Sequence, residues 1–178
     1  MRTLAASLWL SILLALPCQP SCGADAGPVV ISVPDGFDGP IRSDSAGGTT
    51  TGWVKRRPGA EGGTLLQISA IDVGSSLDGI TPAQRIEGAE HYLLEFAKGL
   101  GQKLGHFEIG DIEQLSLAGL PAARVRWTAT VGDGAAIGVM YCVLVGHSVV
   151  SLNTQDIGTA ITPAMYGAMS AIEGIRVR

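Results

Sequence analysis

Cysteine, aromatic side chains and basic charge are all scarce in this 178-residue chain, and each scarcity removes a class of function. Of its three cysteines, Cys18 and Cys22 lie in the first 26 residues and only Cys142 stands beyond them. A disulfide framework and a paired-cysteine metal site are therefore not expected in the body of the chain. Charged residues make up 16% of the sequence, acids outnumber bases, and the formal charge is −4. A protein that reads phosphate backbones needs a basic excess to displace counterions and rings on which bases stack. With aromatics at 5%, nucleic acid is excluded as an expected partner.

A run long enough to span a membrane is missing as well. The longest charge-free apolar stretch, residues 4–16, is 13 residues long. Crossing about 30 Å of hydrocarbon takes roughly 20. The stretch follows the basic Arg2 and precedes the small residues Cys22-Gly23-Ala24-Asp25-Ala26. This pattern reads as an export signal over residues 1–26, cut after Ala24 or Ala26. The expected product is one domain, residues 27–178, periplasmic or secreted and without a transmembrane span. Its charge is unchanged, because Arg2 and Asp25 leave together. Acylation would need a small residue before the cysteine and a Leu-like residue three before it. Ala15-Leu16-Pro17 and Gln19-Pro20-Ser21 fit this poorly, so plain export is expected.

What is present is an ordinary globular composition, 46% hydrophobic, over a length of about 150 residues that suffices for one core. Strands are predicted at residues 29–33, 50–56, 64–71, 107–117, 122–131, 136–145 and 148–154, from β-branched content and alternation. Residues 43–51 and 55–63, rich in Gly, Ser, Thr and Pro, are predicted loops. A helix is announced by Thr81-Pro82-Ala83-Gln84, a capping hydroxyl with Pro at the first turn and Gln placed to bond back. Its inner face is Ile86, Ala89, Leu93, Ala97 and Leu100. Thr162-Pro163 opens a second helix with Met165, Met169 and Ile172 on one side.

Register follows from matching buried faces. Gly146-His147 predicts a two-residue hairpin that pairs Tyr141 with Leu152 and Val143 with Val150. For the preceding hairpin, a three-residue loop Gly132-Asp133-Gly134 with Gly134 left-handed sets Val125 opposite Tyr141 and Trp127 opposite Val139. A two-residue Asp133-Gly134 turn would set Arg126 opposite Tyr141 instead. The longer loop is expected, and it puts Arg124, Cys142 and Ser151 in one row, with Arg126, Met140 and Asn153 in the next.

That surface is the best candidate site. Arg124, Arg126 and Asn153 could hold a carboxylate or phosphate, and a guanidinium beside Cys142 would favour the thiolate. The competing reading is that the arginine stems simply cover the sheet and that Cys142 is a small buried hydrophobe. Glu87, His91 and Glu95 fall at four-residue steps on one helix face, but a straight stripe converges poorly on a metal, and no metal site is expected. His106 and His147 sit beside glycines with no Ser or Asp partner at a recognisable spacing. No Gly-x-Ser-x-Gly elbow occurs, and Gly132-x-Gly134-x-x-x-Gly138 lacks the strand-to-helix setting of a nucleotide loop. Lys55-Arg56-Arg57 is a basic turn of the kind that contacts lipid headgroups or an acidic partner, or that is merely solvated. Glu108, Asp111 and Glu113 are its acidic counterpart. No cofactor is expected.

The order of elements resembles the PsbP/Mog1-like superfamily, including its bacterial envelope DcrB-like branch. The features are Val33-Pro34-Asp35-Gly36-Phe37 closing the first strand, a hairpin, a long helix, then Gly119-Leu120-Pro121-Ala122-Ala123-Arg124 entering consecutive antiparallel strands and a last helix. The resemblance covers about residues 29–178. It implies an α+β fold, an antiparallel sheet flanked by helices as an α/β/α sandwich. It also implies a binding role, since its members include photosystem accessory subunits, a partner of a nuclear transport GTPase and envelope proteins. The expectation is an exported, non-enzymatic binding or accessory protein of the envelope, with an envelope protein as partner. The alternative is a small enzyme or ion-binding protein using Arg124, Arg126, Cys142 and Asn153.

Overall fold

The computed structural model describes residues 24–45, 48–58 and 62–178. The leader predicted at residues 1–26 falls outside the described residues up to position 23, as do Cys18 and Cys22.

A seven-stranded antiparallel sheet forms the middle layer. Its strands are β3 (Asp38–Ser45), β4 (Gly48–Arg56), β5 (Gly63–Asp72), β6 (Gly105–Leu117), β7 (Leu120–Val131), β8 (Gly134–Val145) and β9 (Ser148–Ile157), in the order β3-β4-β5-β9-β8-β7-β6. A small sheet, β1 (Ala24–Ala26), β2 (Val29–Ile31) and β10 (Arg176–Val177), ties the two ends of the described chain together through β2. The segment 43–51, predicted as a loop, is instead the facing ends of β3 and β4. Its composition is polar because β3 is a solvated edge strand, which needs no apolar alternation.

Helix α1 (Pro82–Gly101) opens with the expected capping box. Thr81 accepts from the Gln84 amide at 3.2 Å, and the Gln84 side chain accepts from the Thr81 amide at 2.8 Å. Such a cap is worth about 1 kcal/mol. The connection from β5 through α1 carries the chain from the middle of the sheet to its far edge, so α1 lies over β6, β7 and β8. Ala89, Leu93 and Ala97 meet Ala123, Val125, Trp127, Met140, Cys142 and Leu144 there.

Helix α2 (Pro163–Glu173) buries Met165, Ala168, Met169 and Ile172 on the opposite face, against Leu66, Ile68, Tyr141, Val150 and Leu152. The helices therefore sandwich the sheet, as the resemblance implied. β8, under both helices, is buried on both faces, with every residue from Gly138 to Val145 shielded.

Candidate functional site

The register of the last hairpin is the predicted one, with Tyr141 opposite Leu152 and Cys142 opposite Ser151. The register before it is not. Val131 faces Gly134 across a two-residue Gly132-Asp133 turn, and Gly132, at φ +60, is the left-handed residue in place of Gly134. Arg124 consequently faces Tyr141, and Val125 faces Met140. The predicted site is divided by this shift: Arg124 and Arg126 lie on the α2 side of the sheet, whereas Cys142 and Asn153 lie on the α1 side. The alternative reading as an enzyme or anion-binding protein built on those four residues loses its geometry.

The error has a physical origin. Matching a single buried face fails here because β8 is buried on both, so alternation cannot choose between registers. Packing chooses instead. Trp127 lies beside Gly138, and a Cβ there would fall 2.2 Å from the indole, so the ring occupies space that only glycine leaves.

Each arginine now has a definite setting. The Arg124 Nε and Nη2 both donate to Glu113 Oε2, at 2.9 and 2.7 Å, and Nη1 donates to Glu173 Oε1 at 3.1 Å. The Tyr141 hydroxyl donates to the same Glu173 oxygen at 3.1 Å. Hydrogen bonds from Arg124 hold the Glu113 carboxyl below its usual range, and the pairing raises Arg124 in turn. Burial, then the Glu173 charge, pushes the Tyr141 phenol up to about 12. This closed network anchors the end of α2 to β6 and β7 and leaves Arg124 no free donor fork. Arg126 is exposed on the same side.

Cys142 is 0% exposed beneath α1, and burial pushes its thiol up to about 12, the reverse of an activated thiolate. Asn153 belongs to an uncharged polar field on β9, β5 and β4 at the margin of α1, which touches it through Tyr92. Rows Thr50–Ser69–Ser151 and Gly52–Gln67–Asn153 run across the strands. Thr50 and Ser69 share a 2.9 Å hydrogen bond, Asn153 Nδ2 donates to Gln155 Oε1 at 3.2 Å, and Tyr92 donates to Ser151 at 3.3 Å. Asn153 Oδ1 is buried without a protein partner among the described residues.

The remaining candidates resolve as follows. Glu87, His91 and Glu95 are exposed, and among the described residues no His, Cys, Asp or Glu group is arranged to hold a metal. Lys55 is spent on the Asp35 carbonyl at 3.0 Å and lies over the Phe37 ring, while Arg57 donates to the Ile157 carbonyl. His147 has a partner that spacing could not show, Asp78 at 2.9 Å. Sequence reading also missed Asp156, a fully buried carboxylate that accepts from Thr64 at 2.5 Å and from the Thr162 amide and hydroxyl at 3.2 and 2.5 Å. Its signal was a lone acid inside an otherwise alternating strand.

The second open region is the α2 side of β6 and β7, beyond the reach of α2. It carries Glu113, Arg124, Arg126 and Thr128. At its end lies a cleft of about 260 Å³ between the start of β6, the β7–β8 hairpin and the β9–α2 loop.

The antiparallel sheet between one helix on each face defines an α/β/α sandwich of the Mog1/PsbP type. Among the solved structures that share this fold, two superpose over most of both chains. A single-residue variant of Mog1 superposes with a TM-score of 0.55 at 10% identity, over 89% of this chain and 96% of that one. LpqN, described as involved in cell envelope biogenesis of Mycobacterium tuberculosis, superposes with a TM-score of 0.53 at 19% identity, over 84% of this chain and 82% of that one. No family model and no curated protein matches the sequence.

Proposed function

We propose that this chain is an exported, non-enzymatic binding or accessory protein of the cell envelope. The observation that carries the reading is the diagonal cover of the sheet. α1 shields β6 to β8 on one face, α2 shields β5 and β9 on the other, and among the described residues two strips stay open. One is neutral and rich in hydroxyls and amides, and the other is charged. Open sheet faces framed by helices suit recognition. The export pattern of residues 1–26 and the envelope role stated for LpqN, a structure of the same fold, support the compartment. No helix among the described residues is long and apolar enough to cross a membrane.

The test is fractionation of the native host with mass measurement of the chain, joined to crosslinking inside the envelope. The expected result is a trimmed chain in the periplasm or medium, crosslinked to an envelope protein. Ser151→Arg on the neutral strip or Thr128→Arg on the charged one should abolish the crosslink. An untrimmed cytoplasmic chain, or crosslinks indifferent to both substitutions, would refute the proposal.

A further inference from the structure

We propose that the cleft at the end of the charged strip binds a primary ammonium group on a short aliphatic stem, free or as a lysine side chain. This deepens the reading of the chain as a binding protein and rests on it. The cleft is lined by His106, Glu108, Thr128, Thr130, Ile137 and Thr159, among others, from three separate parts of the sequence. Its far wall is pinned by the Gly158 amide, which donates to the Ala135 carbonyl at 2.7 Å.

The near wall is built by an irregularity. The β6 register shifts between Gly105 and Glu108, and His106 within it takes φ +46. A non-glycine residue held in the left-handed region beside a bulge is a feature that clusters where a strand re-aims side chains for a purpose. Here the bulge brings Glu108 onto the same rung as Thr128, at the mouth of the cleft.

The chemistry of the lining selects the ligand. Glu113, further along β6, is neutralised by Arg124, whereas Glu108 has no ion-pair partner among the described residues. The hydroxyls of Thr128, Thr130 and Thr159 make no side-chain hydrogen bond among the described residues either. Beside the His106 ring, one carboxylate and three separate hydroxyl acceptors suit an ammonium with three divergent donors better than a planar guanidinium fork. Ile137 and Ala135 provide apolar surface for methylene groups. The cleft, at about 260 Å³, has room for a four- or five-carbon amine. Arg126, two residues before Thr128, is not part of the lining.

Amide NMR titrations of the exported chain test this with three probes: n-butylammonium, an Ala-Lys-Ala peptide blocked at both ends, and n-butanol as the neutral isostere. Both ammonium probes should shift amides at residues 128–137 and 158–159. Glu108→Gln, at an exposed position, should weaken them at least tenfold, and Thr130→Val about threefold, with the remaining amides unmoved. Response to the peptide alone assigns the ligand to lysine side chains, and response to butylammonium identifies the ammonium itself. Equal shifts from butanol, or undiminished binding in Glu108→Gln, overturns the proposal. If ammonium binding fails while the strip variants still abolish the envelope crosslink, the inference falls and the broader function stands. Ammonium binding without any envelope crosslink gives the converse.

Discussion

Gly138 sits where an added methyl would be 2.2 to 2.4 Å from three atoms of the Trp127 indole. The ring is 2% exposed and packs against Phe107 in a tilted pair with centroids 5.8 Å apart, so it has nowhere to retreat. Gly138→Ala should therefore destabilise the chain by about 1–3 kcal/mol through overpacking, measured by urea unfolding. In a Trp127→Ala background the same change should cost little, and additive losses in this double-mutant cycle would contradict the packing argument. This contact also marks what was legible at the residue scale. A glycine between Ile137 and Val139 inside a strand pattern signals close approach, and Trp127 was visible as the bulkiest nearby side chain. Their pairing was not legible, because cross-strand partners depend on a turn whose length one residue decides. Asn153 and Arg124 illustrate the cost: each was correctly placed on a strand, and the one-residue slip sent them to opposite faces.

Two elements owe their placement to single groups. The β7–β8 hairpin turns on Gly132 at φ +60, the same Gly-x turn chemistry as Gly146-His147, with Gly146 at φ +55. Gly132→Val should destabilise the chain clearly, by about 1–2 kcal/mol in urea unfolding, since β-branched residues resist positive φ. Gly134→Val should be mild, because its nearest contacts would lie at 3.7 Å and its φ is not left-handed. The reverse order of effects would restore the three-residue loop. Helix α2 depends likewise on Asp156, which holds both the Thr64 hydroxyl and the Thr162 cap. Asp156→Ala strands those buried donors and should cost about 3 kcal/mol, with Asp156→Asn milder. Amide exchange in 163–173 should accelerate more than in α1, and uniform acceleration would argue against a local tether. Both helices and most strands could be read from caps and periodicity, which are local signals. β3 and the Asp156 tether could not, one because an edge strand is polar, the other because its partners are distant in sequence.

At the scale of the whole molecule, the sandwich was legible from element order, but which half of each face stays open was not. That depends on where α1 and α2 come to rest, a long-range outcome with no local motif. The same double cover buries two titratable groups, one on each side of β8. The Cys142 thiol is raised from 9.0 to about 12 by burial under α1. The Tyr141 phenol is raised from 10.0 to about 12, by burial first and the Glu173 carboxylate second, under α2. In both cases the folded chain keeps a proton that the unfolded chain gives up earlier. Their contribution is full below pH 9 and is lost as pH climbs toward 12, because the unfolded state then binds fewer protons. Stability should thus fall from pH 9 onward, and Cys142→Ala should delay the onset to about pH 10, where only Tyr141 still contributes. Urea midpoints across pH 8 to 11 check this, and a flat profile would mean that the two helices do not seal the sheet. A thiol reagent gives the matching kinetic test. If α1 closes over β8 as a unit, Cys142 reacts only when the sandwich opens, and its labelling rate should rise with urea in step with global unfolding.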